Sequence, residues 1–231
     1  MEPDRESLKR NLEAVRERIN RACEKAGRGA ETVKLLAVSK TKPVEMIQAA
    51  LALGQLDFGE NYAQELRDKA AAITDSRIRW HFIGALQRNK VKYLVGKVVM
   101  VHSIDSAELI AEIEKRAEAQ GIKVPVLLEL KLSPEQTKSG VDPGNLVSLA
   151  ERALESRAVE LHGLMTMAPY FPEPEQSRPY YIKLRETRDE LAKHLGKALP
   201  ELSMGMSQDF EVAIEEGATM VRVGTAIFGA R

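Results

Sequence analysis

Short apolar runs alternate with longer amphipathic stretches from residue 34 to the end of the chain, and this alternation most constrains the fold. A short continuous apolar run marks a strand buried on both faces of a parallel sheet. Apolar residues three and four apart mark one face of a helix. The strand candidates are Lys34–Ser39, Leu56–Gly59, Trp80–Ile83, Val98–His102, Val124–Leu130, Val159–Met165, Leu202–Gly205 and Thr219–Val223. A helix signal follows each. Pro43 opens PVEMIQAALAL at a favoured first-turn position. Asp105 with Glu108 forms a capping pair before AELIAEIEKRAEAQ. Asp142-Pro143 precedes NLVSLAERALES, and a proline-rich loop from Tyr170 to Pro179 leads to a charged helix ending near Leu195. Eight strand-then-helix units predict an α/β fold, a (β/α)8 TIM-type barrel, with a doubly wound open sheet as the alternative.

An extra stretch precedes the first strand. Leu8, Leu12, Val15 and Ile19 define one face of a helix over about Glu6 to Ala26, expected to close one end of the barrel, with Cys23 on its buried side. At 231 residues, with no Gly/Ser linker or change of composition, residues 1–231 read as one domain.

Charge narrows the function classes. Lys plus Arg and Asp plus Glu are 34 each, so no long-range field draws the chain to nucleic acid or an anionic membrane. A single cysteine forms no internal disulfide and suits a reducing compartment. The N-terminus is charged, and no apolar run approaches the roughly 20 residues that span a bilayer. A cytoplasmic protein is expected. No long exposed apolar stripe is visible, so the expected state is a monomer.

In an α/β barrel, function sits where strands run into the following loops. Lys40 follows the first strand, before a Thr-Lys-Pro turn, so its amine is expected in the barrel mouth. A partly desolvated lysine there is nucleophilic toward aldehydes. Lys42 reads as a surface lysine or a second ligand near the site. Ser207 reads as the N-cap of QDFEVAIEEG, and Thr225, after Gly224, opens a last short turn. Loops after the seventh and eighth strands form the usual phosphate site of such barrels. The plainer reading is a helix cap and a turn glycine. Arg222 shares the parity of Gly224, so both face one side of the sheet. A buried arginine needs a partner, either a structural carboxylate or a ligand's ring nitrogen or phosphate.

Other chemistries find no support. The histidines at 81, 102, 162 and 194 lack zinc-site spacing. GTAIFG (224–229) is no dinucleotide fingerprint, and neither a phosphate-binding GxxxxGK[ST] loop nor a GxSxG elbow occurs.

Seven blocks carry a family resemblance: LLAVSKTKP (35–43), FGENYAQE (58–65), WHFIGALQRNK (80–90), KSGV (138–141), GLMTM (163–167), LSMGMSQDFEVAI (202–214) and GATMVRVGTAIFGAR (217–231). In this order they resemble the YggS/PROSC-type pyridoxal phosphate homeostasis proteins. Ala85, Lys131 and Gln208 depart from the family pattern, where proline, asparagine and an acidic residue are common. The resemblance implies a barrel like the N-terminal domain of alanine racemase, with pyridoxal 5′-phosphate (PLP) as a Schiff base on Lys40. It places the phosphate on Ser207, Gly224 and Thr225, and Arg222 beside the pyridine nitrogen. It makes Asn61 and His81 part of the pocket wall, with Met206 nearby. Lys138 in KSGV reads either as a second transient PLP amine or as a solvated loop lysine. The implied role is PLP homeostasis, with apo-enzymes that need PLP as transient partners.

A small PLP-dependent amino-acid racemase is the alternative, and a phosphate-binding scaffold that does not use Lys40 is a third. Racemisation needs a second acid/base group on the opposite face of the substrate. The chain ends seven residues after Gly224, so no second domain is expected to supply one. A cation at Arg222 also disfavours a protonated ring nitrogen and weakens the ring as an electron sink. A carrier is therefore the expected function.

Overall fold

In the computed structural model, which describes residues 4–133 and 139–229, the eight apolar runs are eight parallel strands. They are β1 (Lys34–Val38), β2 (Asp57–Glu60), β3 (Arg79–Phe82), β4 (Val98–Ile104), β5 (Val124–Glu129), β6 (Val159–Met165), β7 (Glu201–Met206) and β8 (Met220–Val223). They pair in chain order, and β8 returns to β1 with Arg222 opposite Leu36, so the sheet is a closed barrel. Closure rules out the open sheet. It also removes both sheet edges, leaving no row of unpaired backbone groups.

Strand alternation builds two cores. Side chains of one parity point into the lumen, where Leu36, Met100, Leu127, Met165 and Met220 pack with Ile83 near the top. Those of the other parity, such as Ala37, Phe58, Trp80 and Val221, join the larger shell between strands and helices. Trp80 and Phe82 are thus core residues, with Trp80 against Phe58 at 5.9 Å between ring centroids.

The outer layer holds α1 (Arg5–Lys25), α2 (Val44–Ala52), α3 (Ala63–Ala72), α4 (Ala107–Glu118), α5 (Leu146–Glu155), α6 (Arg178–Leu195), α7 (Phe210–Glu215) and α8 (Thr225–Phe228). After β3 the chain makes only a 3-10 turn, Arg88–Tyr93. Before α4, the cap position is Ser106 without a side-chain bond, so the expected Asp105–Glu108 capping pair does not form. α6 ends at Gly196, whose φ of 59° is left-handed.

The first helix corrects another expectation. α1 packs on α7, α8 and α2, in the place a full eighth helix would take, rather than closing a barrel end. The reason is that α8 is only four residues long and cannot cover β8 and β1. Leu8, Leu12, Val15, Ile19 and Cys23 fill that gap. Arg18 fixes the placement, bonding both oxygens of Glu211 at 3.0 and 2.6 Å and lying over the Phe210 ring. Among the described residues, no helix is long and apolar enough to cross a membrane.

Candidate functional site

A cavity of about 470 Å³ opens at the C-terminal ends of the strands. That lies within the range of roughly 300–1,000 Å³ usual for small-molecule pockets. Lys40, Asn61, Met206, Ser207, Arg222, Gly224 and Thr225 all line it. Val38, Ile83, Met167 and Phe171 supply apolar wall, and Tyr170, 72 % exposed, stands at the mouth.

Lys40 is held by a rigid turn. Ser39 ends the strand pairing by donating its N–H to Gly59, and its carbonyl accepts from Lys42 N–H at 3.0 Å. Thr41 has a φ of 62°, a left-handed conformation costly for a β-branched residue (about 1–3 kcal/mol). Its N–H donates to Glu65 at 2.6 Å. Beneath the turn lies Lys69, 5 % exposed, whose ammonium donates to Ser39 O, Glu60 Oε1 and Glu65 Oε1, each at 2.7 Å. Ser39 Oγ also donates to Glu60. Burial raises the Glu60 carboxyl above its ordinary value even though Lys69 opposes the shift.

Lys42 resolves into a structural role. Its ammonium donates to the carbonyls of Phe228 and Gly229, both at 3.2 Å, and so caps the end of α8 while bordering the cavity. Lys138 lies outside the described residues.

The loops after β7 and β8 meet on the cavity wall, the latter beside the β1 turn because β8 pairs with β1. Ser207 Oγ accepts from Gly224 N–H at 3.2 Å and ties the two loops together. Ser207 is not the N-cap of α7, which corrects that expectation. Asp209 holds that position, because residues 207–209 form a turn before the helix begins. The Asp209 carboxylate is used within the turn, accepting from Met206 N–H at 2.7 Å and from Ser177 Oγ at 3.0 Å. Gly205 permits the bend: its φ is 91°, and a Cβ there would lie 2.9 Å from Phe210 Cα. Thr225 does open a short helix, α8, in which Ile227 and Phe228 N–H donate to Gly224 O, and the N–H groups of Thr225 and Ala226 precede the first of these bonds.

Arg222 is 4 % exposed and reaches the cavity from the lumen. One terminal nitrogen donates to Ser203 Oγ at 2.7 Å and the other to Thr166 O at 2.9 Å. Burial pulls its guanidinium below the ordinary arginine value, opposed by Tyr181, Glu129 and Asp209.

Asn61 follows β2, and its Oδ1 is buried without a hydrogen-bond partner. An orphaned polar atom on a cavity wall is a place for a ligand group. Gly84 makes this placement possible, since a Cβ there would come within 2.2 Å of Asn61 O.

His81 is not among the residues lining the cavity, contrary to expectation. It lies two residues before Ile83, one inward layer deeper, and is 1 % exposed. Its Nε2 meets Asp57 Oδ1 at 3.0 Å and its Nδ1 meets His102 Nε2 at 2.9 Å. Sequence reasoning also passed over Asp57, Ser203, Lys69 and the Tyr170–Phe171 wall. The one available signal was parity: Asp57 and His81 alternate with outward-facing residues, as lumen side chains do.

The arrangement gathers an amine, a set of anion donors and a cation on the wall of one cavity, with apolar residues among them. The family model of the alanine racemase N-terminal domain matches residues 10–231. The pyridoxal phosphate homeostasis protein of Aquifex aeolicus is 54 % identical over 220 residues, covering 95 % of this chain and 96 % of that one. Its namesake from Pseudomonas aeruginosa is 41 % identical over 225 residues, covering 97 % and 96 %. Among solved structures, PipY of Synechococcus elongatus with PLP bound superposes with a TM-score of 0.86 at 33 % identity, covering 96 % of this chain and all of that one (100 %).

Proposed function

The chain belongs to the family of pyridoxal phosphate homeostasis proteins, built on the fold of the alanine racemase N-terminal domain, and from that premise we propose that it binds PLP through Lys40 and acts in PLP homeostasis. The observation that carries the reading is the shared cavity wall of Lys40, Asn61, Arg222, Ser207, Gly224 and Thr225.

The residues fit the group. PLP supplies an aldehyde for an amine to condense with, a phosphate, and a ring with a nitrogen and a phenolic oxygen. Lys40 supplies the amine, and the rigid turn at Thr41 aims it. The Ser207 and Thr225 hydroxyls and the Thr225 and Ala226 N–H groups would receive the dianion. Arg222 donates toward the ring nitrogen. The unpartnered Asn61 Oδ1 gains a polar neighbour on loading. Val38, Ile83 and Met167, on the same wall, would give the ring apolar contact and keep water from the amine.

A holding role rather than turnover is part of the proposal. Arg222 offers donors only, which favours an unprotonated ring nitrogen and a weak electron sink. The role is to keep a reactive aldehyde sequestered in the cytoplasm, as a monomer, and to pass it to apo-enzymes. Titration with PLP tests this. A Schiff-base absorbance band is expected, absent in Lys40→Ala, with no multiple-turnover formation of D-isomers from a panel of L-amino acids. No band and no PLP affinity in the unaltered protein would reject the proposal.

A further inference from the structure

A continuous hydrogen-bonded line crosses the barrel lumen beneath the cavity. Arg222 Nη1 meets Ser203 Oγ at 2.7 Å, Ser203 Oγ meets His102 Nδ1 at 2.9 Å, His102 Nε2 meets His81 Nδ1 at 2.9 Å, and His81 Nε2 meets Asp57 Oδ1 at 3.0 Å. All five residues are buried. They come from β8, β7, β4, β3 and β2, and Asp57 is the first residue of its strand. The line therefore runs from the cofactor end toward the opposite end, where Asp57 and Arg79 border a second cavity of about 470 Å³.

Both termini have fixed polarity. Arginine has no acceptor, so Ser203 Oγ must accept from it. Asp57 also receives Arg79 Nε at 2.9 Å. Burial alone would raise the Asp57 carboxyl, but His81 and Arg79 outweigh it and hold it below its ordinary value. An ionised carboxylate only accepts, so His81 Nε2–H donates to it. Lys34, Arg79 and Arg222 face the two imidazoles as cations, and Asp57 faces them as an anion. Two neutral rings then leave one arrangement. His102 Nε2–H donates to His81 Nδ1, and Ser203 O–H donates to His102 Nδ1. Every donor points from Arg222 toward Asp57.

We propose that Asp57, His81, His102 and Ser203 are positioning residues for Arg222, a one-way relay by which a carboxylate at the far end of the barrel orients the guanidinium that faces the cofactor ring. This rests on the PLP reading. Among the described residues, the hydrogen-bond partners of Arg222 are Ser203 and Thr166, neither of them a carboxylate. Glu129 and Asp209 supply the nearby negative charge, and the relay fixes one edge of its plane. The edge toward the cavity is then constrained to donate, which selects a ligand with an acceptor at that point.

Two measurements on the full-length protein test the relay. The first is nitrogen-15 NMR of the histidine side chains without PLP. His81 and His102 are expected as neutral rings protonated at Nε2, with His102 moving to a tautomer mixture in Ser203→Ala. A charged His81, or His102 protonated at Nδ1, in the unaltered protein overturns the polarity. The second compares binding of PLP with its 1-deaza analogue, which carries C–H in place of the ring nitrogen. A charged hydrogen bond to that nitrogen is worth roughly tenfold or more in affinity. Ser203→Ala is expected to shrink that preference below about threefold, and Asp57→Asn carries the same readout if the first variant fails to fold. An unchanged preference in the folded variant overturns the proposal. If the protein bound neither compound, the PLP reading would fall, while the NMR result would still decide the relay.

Discussion

The ammonium of Lys69 lies 2.7 Å from the carbonyl oxygen of Ser39, the residue immediately before Lys40. A buried cation thus fixes the backbone from which the reactive amine projects. Lys69→Met removes the cation and leaves Glu60 buried and uncompensated. Breaking such a pair costs about 3–5 kcal/mol. Urea unfolding should show that loss. PLP affinity should fall as well, because Thr41 and Lys40 lose their support.

Gly84 passes over the backbone of Asn61. Gly84→Ala would place a Cβ 2.2 Å from Asn61 O, so one of the two loops must move. Overpacking of this kind costs about 1–3 kcal/mol. For a chain of this size, Tm should fall by roughly 2–4 °C per kcal/mol. Weaker PLP binding is expected together with the lower Tm, read by thermal scan and titration.

Ser207 provides a hydroxyl on the phosphate side of the cavity and accepts from Gly224 N–H. Removing a hydrogen bond to a charged group costs about 1.5–3 kcal/mol. Ser207→Ala should therefore weaken PLP binding roughly tenfold to a hundredfold. Binding of pyridoxal, which lacks the phosphate, should change little. Equal losses for the two ligands would remove Ser207 from the phosphate site.

Burial pulls His81 below the ordinary histidine value, and His102 well below it. Below about pH 6.5 the unfolded chain therefore binds more protons than the folded protein. The sign follows: stability falls as pH drops from about 6.5 toward the depressed folded values, by up to ~1.4 kcal/mol per pH unit for each ring. Glu60 and Glu129 act in the opposite sense. Burial raises both, so their protonated forms favour folding at low pH, and that contribution is lost as pH rises above the ordinary value of 4.5. His102→Leu keeps both carboxyls and removes one ring. Its stability should depend on pH less steeply by about one proton, measured by urea unfolding between about pH 5.5 and pH 7.

Much of the barrel was legible because each strand is a short apolar run with its own turn signals. Val159–Met165 falls where expected, and the other strand boundaries shift by one or two residues. Lys40 was legible from its place at the end of the first strand, before a turn, and Arg222 from its parity with Gly224. His81 shares that parity but sits one layer too deep, and β3 pairs with β4 through a register shift at Trp80/His81 that no pattern announces. Ser207 resembled a helix cap because the three-residue turn before α7 has no sequence signature of its own. Lys69 was unreadable for a different reason. A lysine on an amphipathic helix normally reads as solvated, and only the fold turns it toward Glu60. The lumen relay draws single residues from five strands, so it has no spacing along the chain to detect.

Reductive trapping tests the central claim most directly. The PLP-loaded protein is treated with borohydride, digested and mapped by mass spectrometry. The expected result is a stable phosphopyridoxyl addition on Lys40, and on no other lysine at comparable yield. Addition at a different lysine, or none at all, would contradict the account.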